Sequence, residues 1–258
     1  MIGAIAGDII GSIYERHPIT TTDFPLFDIH CRYTDDTVLT VALADAILSG
    51  VDYGAKLKEY YRLYPDRGFG GGFRKWAAHH SHQPHVSMGN GSAMRVSPIG
   101  FTFGSLQQVL EEAKRSAEPS HNHPEGIKGA QAVAAAVFLA RTGATKECIK
   151  AYVAGTFGYD LDQTLQFIRL NNRPDNWCPS SVPQAITAFL LSEDYEDAVR
   201  KAVSMGGDAD TVACISGGIA QAYYKVIPDE IVNGALNRLD EHLTKIVKDF
   251  RERYLKDD

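Results

Sequence analysis

The sequence predicts an all-α protein, in which residues 1–258 form a single domain built as a compact orthogonal bundle of many helices. Three observations point there. Most segments repeat apolar residues at three- or four-residue steps, strand-like alternation is scarce, and no repeat, low-complexity stretch or linker separates two halves. Taken in order, Ile2, Ile5, Ile9 and Ile13 mark a helix over 3–15. Gly3, Gly7 and Gly11 fall on another of its faces, where missing side chains let a second backbone approach. The next helix starts at Thr34, an N-cap type of residue, carries Asp35 and Asp36 in its first turn, and runs through Val38, Leu39, Val41, Ala42 and Ala46 to Gly50. Further helices are predicted over 53–64, 73–80, 106–117, 125–141, 146–157, 163–169, 183–191, 196–205, 211–225 and 231–254. Residues 129–140 read as a buried helix, since a bilayer span needs roughly 20 apolar residues. Loops are expected over 16–32, over the glycine-rich 66–72 and over 79–91.

The chain of 258 residues is 44% hydrophobic and 22% charged, the composition of a globular protein large enough to fold without a disulfide or structural metal. Lys and Arg total 26 against 32 Asp and Glu, a net charge of −6, which argues against general binding of a phosphate backbone and suits a cation site. Cys31, Cys148, Cys178 and Cys214 are widely spaced, as free thiols in a reducing cytoplasm would be. The opening MIGAIAGDIIGSIYE has Asp8 inside its apolar stretch and no basic leader, so it does not read as a signal peptide. A cytoplasmic monomer with no membrane attachment is expected.

Two acidic constellations carry chemistry. Thr34-Asp35-Asp36 and Asp208-Ala209-Asp210-Thr211 each place two carboxylates and a hydroxyl at a predicted helix start, at opposite ends of the sequence. Either alone reads as a helix cap favoured by the helix dipole. Together they form a set of hard oxygen donors suited to Mg²⁺ or Mn²⁺, and four gathered aspartates would repel one another unless cations held them. A site for two divalent cations follows. Gly68, Gly70, Gly71 and Gly72 in RGFGGGFRKW leave backbone N–H groups free ahead of a helix, an arrangement able to cradle phosphate. Gly89, Asn90 and Gly91 form a tight turn in SMGNGSAMRVSPIG.

GAIAGDIIGSIYE, YTDDT, RGFGGGF, GNGSAMR, SHNHP and GGDADT, in that order from Gly3 to about Tyr224, resemble the ADP-ribosylglycohydrolase family. The resemblance implies an all-α fold of that type, a dinuclear Mg²⁺ or Mn²⁺ centre, and hydrolytic removal of ADP-ribose from a modified acceptor by cleavage of the glycosidic bond at the distal ribose. It places metal ligands on Thr34, Asp35, Asp36, Asp208, Asp210 and Thr211, and catalytic roles on Glu15 and Asp36. Substrate contacts fall on Gly70, Gly71 and Gly72 for the diphosphate, on Ser87, Gly89 and Asn90 for the ribose and adenosine side, and on His121. Met88 stands where some relatives have an aromatic. The partner implied is an ADP-ribosylated protein or small conjugate, nucleic acid entering only as an ADP-ribosylated acceptor. Two alternatives share these residues: a two-metal hydrolase of another ADP-ribose-type nucleotide, and an inactive ADP-ribose-binding module. The histidines at 79, 80, 82 and 85 read as a solvated loop with no metal assigned, and Trp76, Trp177, Tyr223 and Tyr224 as core or pocket wall.

Overall fold

A computed structural model describes residues 1–79, 83–171 and 175–255. Its first helix, α1 (Ile2–Gly11), is buried almost all round, and packs along α13 (Ala209–Tyr224). The glycines set that contact: a methyl built on Gly3, Gly7 or Gly11 would collide with the backbone of Gly217, Ala213 or Ala209. The two main chains therefore touch with no side chain between them, as the glycine spacing predicts.

α1 ends at Gly11, short of the predicted 15. Ser12 Oγ donates to the Ile9 carbonyl at 2.8 Å and accepts the Arg32 N–H at 3.1 Å, while Tyr14 N–H closes a turn on Gly11. The serine thus takes up a terminal acceptor of the helix and anchors the returning loop, so Glu15 lies beyond the helix rather than on it.

α2 (Asp35–Ser49) starts and stops as predicted, with Thr34 Oγ1 accepting the Asp36 N–H and Gly50 in the left-handed conformation that ends a helix. Everything from Asp36 to Ala46 is buried, because α3 (Tyr53–Leu63), α15 (Glu241–Tyr254) and α1 surround it. α4 (Gly71–Ala78) follows the glycine loop. Two short helices, α5 (Gly91–Met94) and α6 (Ser97–Thr102), lie in a stretch left without a helix above, being too brief to show a period. α7 (Leu106–Ala117), α8 (Pro124–Arg141), α9 (Lys146–Phe157), α10 (Leu165–Asn171), α11 (Cys178–Leu190), α12 (Tyr195–Val203) and α14 (Asp229–Leu236) complete fifteen helices among the described residues, with no strand. The stretch 129–140 of α8 is indeed a buried helix.

Besides the end of α1, two boundaries differ from expectation by more than two residues. α11 begins at Cys178 rather than 183: the Cys178 N–H bonds to the Met88 carbonyl, Pro179 sits where its missing N–H costs nothing, and Pro183 is carried inside the helix. The segment 231–254 is two helices, because Asp240 caps α15 through the Leu243 N–H at 2.9 Å while its carboxylate also accepts from the hydroxyls of Tyr33 and Tyr64. All four cysteines are free thiols. Among the described residues no helix is long and apolar enough to cross a membrane.

Candidate active site

The α1–α13 contact and the start of α2 bring both acidic motifs to one place. Asp8 of α1, Asp36 of α2 and Asp210 of α13 are buried, with one carboxylate oxygen from each within 4.8 Å of the others. Thr211 Oγ1 donates to Asp36 Oδ2 at 3.3 Å, joining the two motifs directly. Asp208 occupies the N-cap position of α13 but makes no cap bond; its Oδ2 instead accepts from Asn90 Nδ2 at 2.6 Å. On α2 the cap is Thr34, so neither Asp35 nor Asp36 is used as one. Helix capping therefore accounts for the Thr34 hydroxyl, and Asp210 Oδ1 accepts the Thr211 N–H at 2.9 Å in the first turn of α13, while Asp35, Asp36 and Asp208 cap neither helix.

Asp8 is the residue that the sequence reading missed. Its Oδ1 accepts from Thr34 Oγ1 at 2.7 Å, and its Oδ2 accepts from the N–H groups of Thr34 and Thr37, both at 3.0 Å, and from Thr37 Oγ1. Four donors, three of them on Oδ2, fix the first turn of α2 against α1. The signal was present as a lone acid in an otherwise apolar, glycine-faced helix, a place where a carboxylate must be partnered.

The electrostatics are those of crowded acids. Burial first, and the neighbouring carboxylates second, push Asp35 up to about 8 and Asp36 and Asp210 well above the ordinary carboxylate range. Asp8 rises to about 6 through burial despite its bonds from Thr37 and Thr34, and Asp208 is raised by burial as well. Glu15 lies at the solvent-facing rim, and partial desolvation with the charge of Asp208 raises it too. One atom decides between a polar core and a cation site: Asp36 Oδ1 is buried and has no hydrogen-bond partner. An acceptor-only atom left bare among acids, beside hydroxyls of Thr34 and Thr211, fits hard divalent cations.

Of the residues expected to contact substrate, Asn90 touches this centre directly, through Asp208. Gly68, in the left-handed conformation at φ 99°, leaves its open side 3.1 Å from Asp35 Oδ1. Gly72 gives room to the ring of His85, whose backbone bonds to Pro119 and Asn122. Gly70 and Gly71 have nothing within 4 Å of their open sides, and among the described residues no side chain caps α4. Ser87 Oγ accepts the Gly89 N–H at 3.1 Å, and Asn90 is tied by its N–H to the Asn176 carbonyl and by Nδ2 to Ser181. The half-exposed Trp177 pairs with Gly89. His121 packs against Gly89 and Gly91. His79 is exposed; His80 and His82 lie outside the described residues. Arg95, fully buried with Nε and Nη1 unpartnered, and Ser120 beside it were not singled out by the sequence reading. Two concavities, one lined by Lys128, Tyr159 and Gln184 and one by Ile2, Gln221 and Arg251, are lined by none of the four aspartates.

Known proteins share this arrangement of chain. The family model for ADP-ribosylglycohydrolase matches residues 1–258. ADP-ribosylhydrolase ARH3 of Homo sapiens is 28% identical over 87% of this chain and 84% of its own length, and ADP-ribosylarginine hydrolase Tri1 of Pseudomonas putida is 25% identical over 98% of this chain and 77% of its own. A solved ADP-ribosylglycohydrolase-related protein complex superposes with a TM-score of 0.71 at 26% identity, covering 97% of this chain and 96% of that one. The chain belongs to the ADP-ribosylglycohydrolase family of enzymes.

Proposed function

We propose that the protein removes ADP-ribose from a modified acceptor by hydrolysing the glycosidic bond at the distal ribose, with two divalent cations, Mg²⁺ or Mn²⁺, held by Thr34, Asp35, Asp36, Asp208, Asp210 and Thr211. The observation that carries this reading is the bare, buried Asp36 Oδ1 at the meeting point of the two acidic motifs. The names of ARH3 and Tri1 supply the substrate class. When bound, the cations supply positive charge that orients ribose hydroxyls and lowers the cost of activating water.

The chain's own residues do the rest. Asp8 holds the Thr34–Asp36 turn in place, and Asn90 holds Asp208. Glu15, its carboxyl raised toward the range in which it can exchange a proton, takes one from the attacking water, with Asp36 as the second catalytic group at the sugar. The N–H groups of Gly70, Gly71 and Gly72 receive the diphosphate, while Ser87, Gly89, Asn90 and His121 line the ribose and adenosine side. A hydrophobic core whose members run from Met1 to Phe250 supports reading residues 1–258 as one domain, and a cytoplasmic monomer is proposed with it.

The test is a panel of arginine-, serine- and nucleic-acid-linked ADP-ribose, with and without Mg²⁺. Release of free ADP-ribose from one linkage, abolished by EDTA and restored by the cation, is expected. Turnover that survives complete metal removal, or no release from any linkage, overturns the reading.

A further inference from the structure

His121 lies at the turn 89–91, and among the described residues its ring is hydrogen-bonded at Nδ1 alone. Ser120 Oγ is 2.9 Å from His121 Nδ1, and Arg95 Nη2 donates to the same Ser120 Oγ at 2.9 Å and to the Ser116 carbonyl at 2.8 Å. All three side chains are buried. A guanidinium has only donors, so Ser120 Oγ is the acceptor in its bond with Arg95. The hydroxyl keeps one proton to give, and the acceptor in contact with it is His121 Nδ1. A neutral imidazole that accepts at Nδ1 carries its proton at Nε2. That nitrogen sits against the glycine turn: a methyl on Gly91 would lie 2.9 Å from Nε2, and one on Gly89 3.6 Å away.

We infer that the relay Arg95–Ser120 locks His121 as its Nε2–H tautomer, making it a fixed hydrogen-bond donor at the turn formed by Gly89, Asn90 and Gly91, for an oxygen acceptor of the ligand. Burial and the nearby Arg95 charge hold the His121 pKa well below the ordinary histidine value, so the ring is neutral and the donor is single. Arg95 and Ser120 are positioning residues: they act through His121. The ligand atom received there is an acceptor, a phosphate or hydroxyl oxygen, and His121 takes no proton from it. That last step rests on the ADP-ribose reading; the tautomer does not.

The tautomer is read without substrate. In protein labelled with ¹⁵N-histidine, long-range proton–nitrogen correlations of His121 should show a bare Nδ1 and a protonated Nε2. In Ser120→Ala the two forms should mix, because nothing then donates to Nδ1. A protonated Nδ1 in the wild type, or an unaltered Nε2–H form in the folded Ser120→Ala protein, overturns the inference whatever the enzyme hydrolyses. With an active substrate, His121→Gln places an N–H near the Nε2 position and should keep KM close to the wild type. His121→Asn places its groups near Nδ1 and should raise KM by roughly three- to tenfold, the worth of one hydrogen bond. The reverse order of the two variants also overturns it.

Discussion

Thr211 Oγ1 reaches Asp36 Oδ2 at 3.3 Å across a sequence separation of 175 residues, so the first turns of α2 and α13 meet on a shared carboxylate. Asp210, next to that threonine, is held well above the ordinary carboxylate range by burial and then by Asp36 and Asp208. Replacing it with asparagine removes a repelling charge along with a ligand. Asp210→Asn should melt in the metal-free state at the wild-type temperature or above, and should lose the Mg²⁺-induced rise in Tm. Titration calorimetry should show affinity reduced by more than the roughly 10- to 100-fold typical of changes outside the ligand shell. Wild-type affinity in the variant would take Asp210 out of the centre.

The pH dependence has a defined sign. Asp35 sits at about 8 and Asp8 at about 6 in the folded chain, against an ordinary aspartate value of 3.8. A raised carboxyl contributes stability that is fully present below the unfolded pKa and lost as pH rises through the folded one. The metal-free protein therefore loses this contribution between 3.8 and about 8, where the same carboxylates become able to bind cations. The Tm gain from saturating Mg²⁺ should be larger at about pH 8 than at about pH 5. Thermal melts in matched buffers check it, and an equal gain at both would exclude these acids as the linked groups.

Asp8→Asn tests the anchor rather than the ligands. Asparagine presents one oxygen to donors and turns an NH₂ toward the rest, so the N–H and hydroxyl groups of Thr34 and Thr37 cannot all be satisfied. Urea unfolding without metal at neutral pH should show a loss of about 1–3 kcal/mol.

Gly7→Ala should cost at least about 1–3 kcal/mol, since the added methyl meets the Ala213 backbone and the helices must part. Gly70→Ala meets nothing within 4 Å and has an ordinary φ of −60°, so its unfolding midpoint should stay near the wild type. The pair separates a glycine needed for packing from one whose open side meets nothing.

The two acidic motifs were legible because each concentrates acids and a hydroxyl at a helix start, and the glycine spacing of α1 was legible as a close backbone contact. Asp8 was not, because one acid in an apolar stretch looks the same whether it is bonded to a neighbouring helix or to water; only the position of Thr34 and Thr37 tells. Asp240 was hidden similarly: the amphipathic pattern runs on through 231–254, and the break comes from a cap whose tyrosine partners lie far away in sequence. The Arg95–Ser120–His121 relay joins two segments through side chains alone, which no periodicity records.

At Gly3, Gly7 and Gly11 the gap between α1 and α13 is set by main-chain thickness, not by rotamers. Asp8 and Asp210 are thereby spaced by a ruler that side-chain substitution elsewhere cannot stretch. The loop over 16–32 is under no such constraint, so it can change in length or composition while the spacing of these two aspartates stays constant.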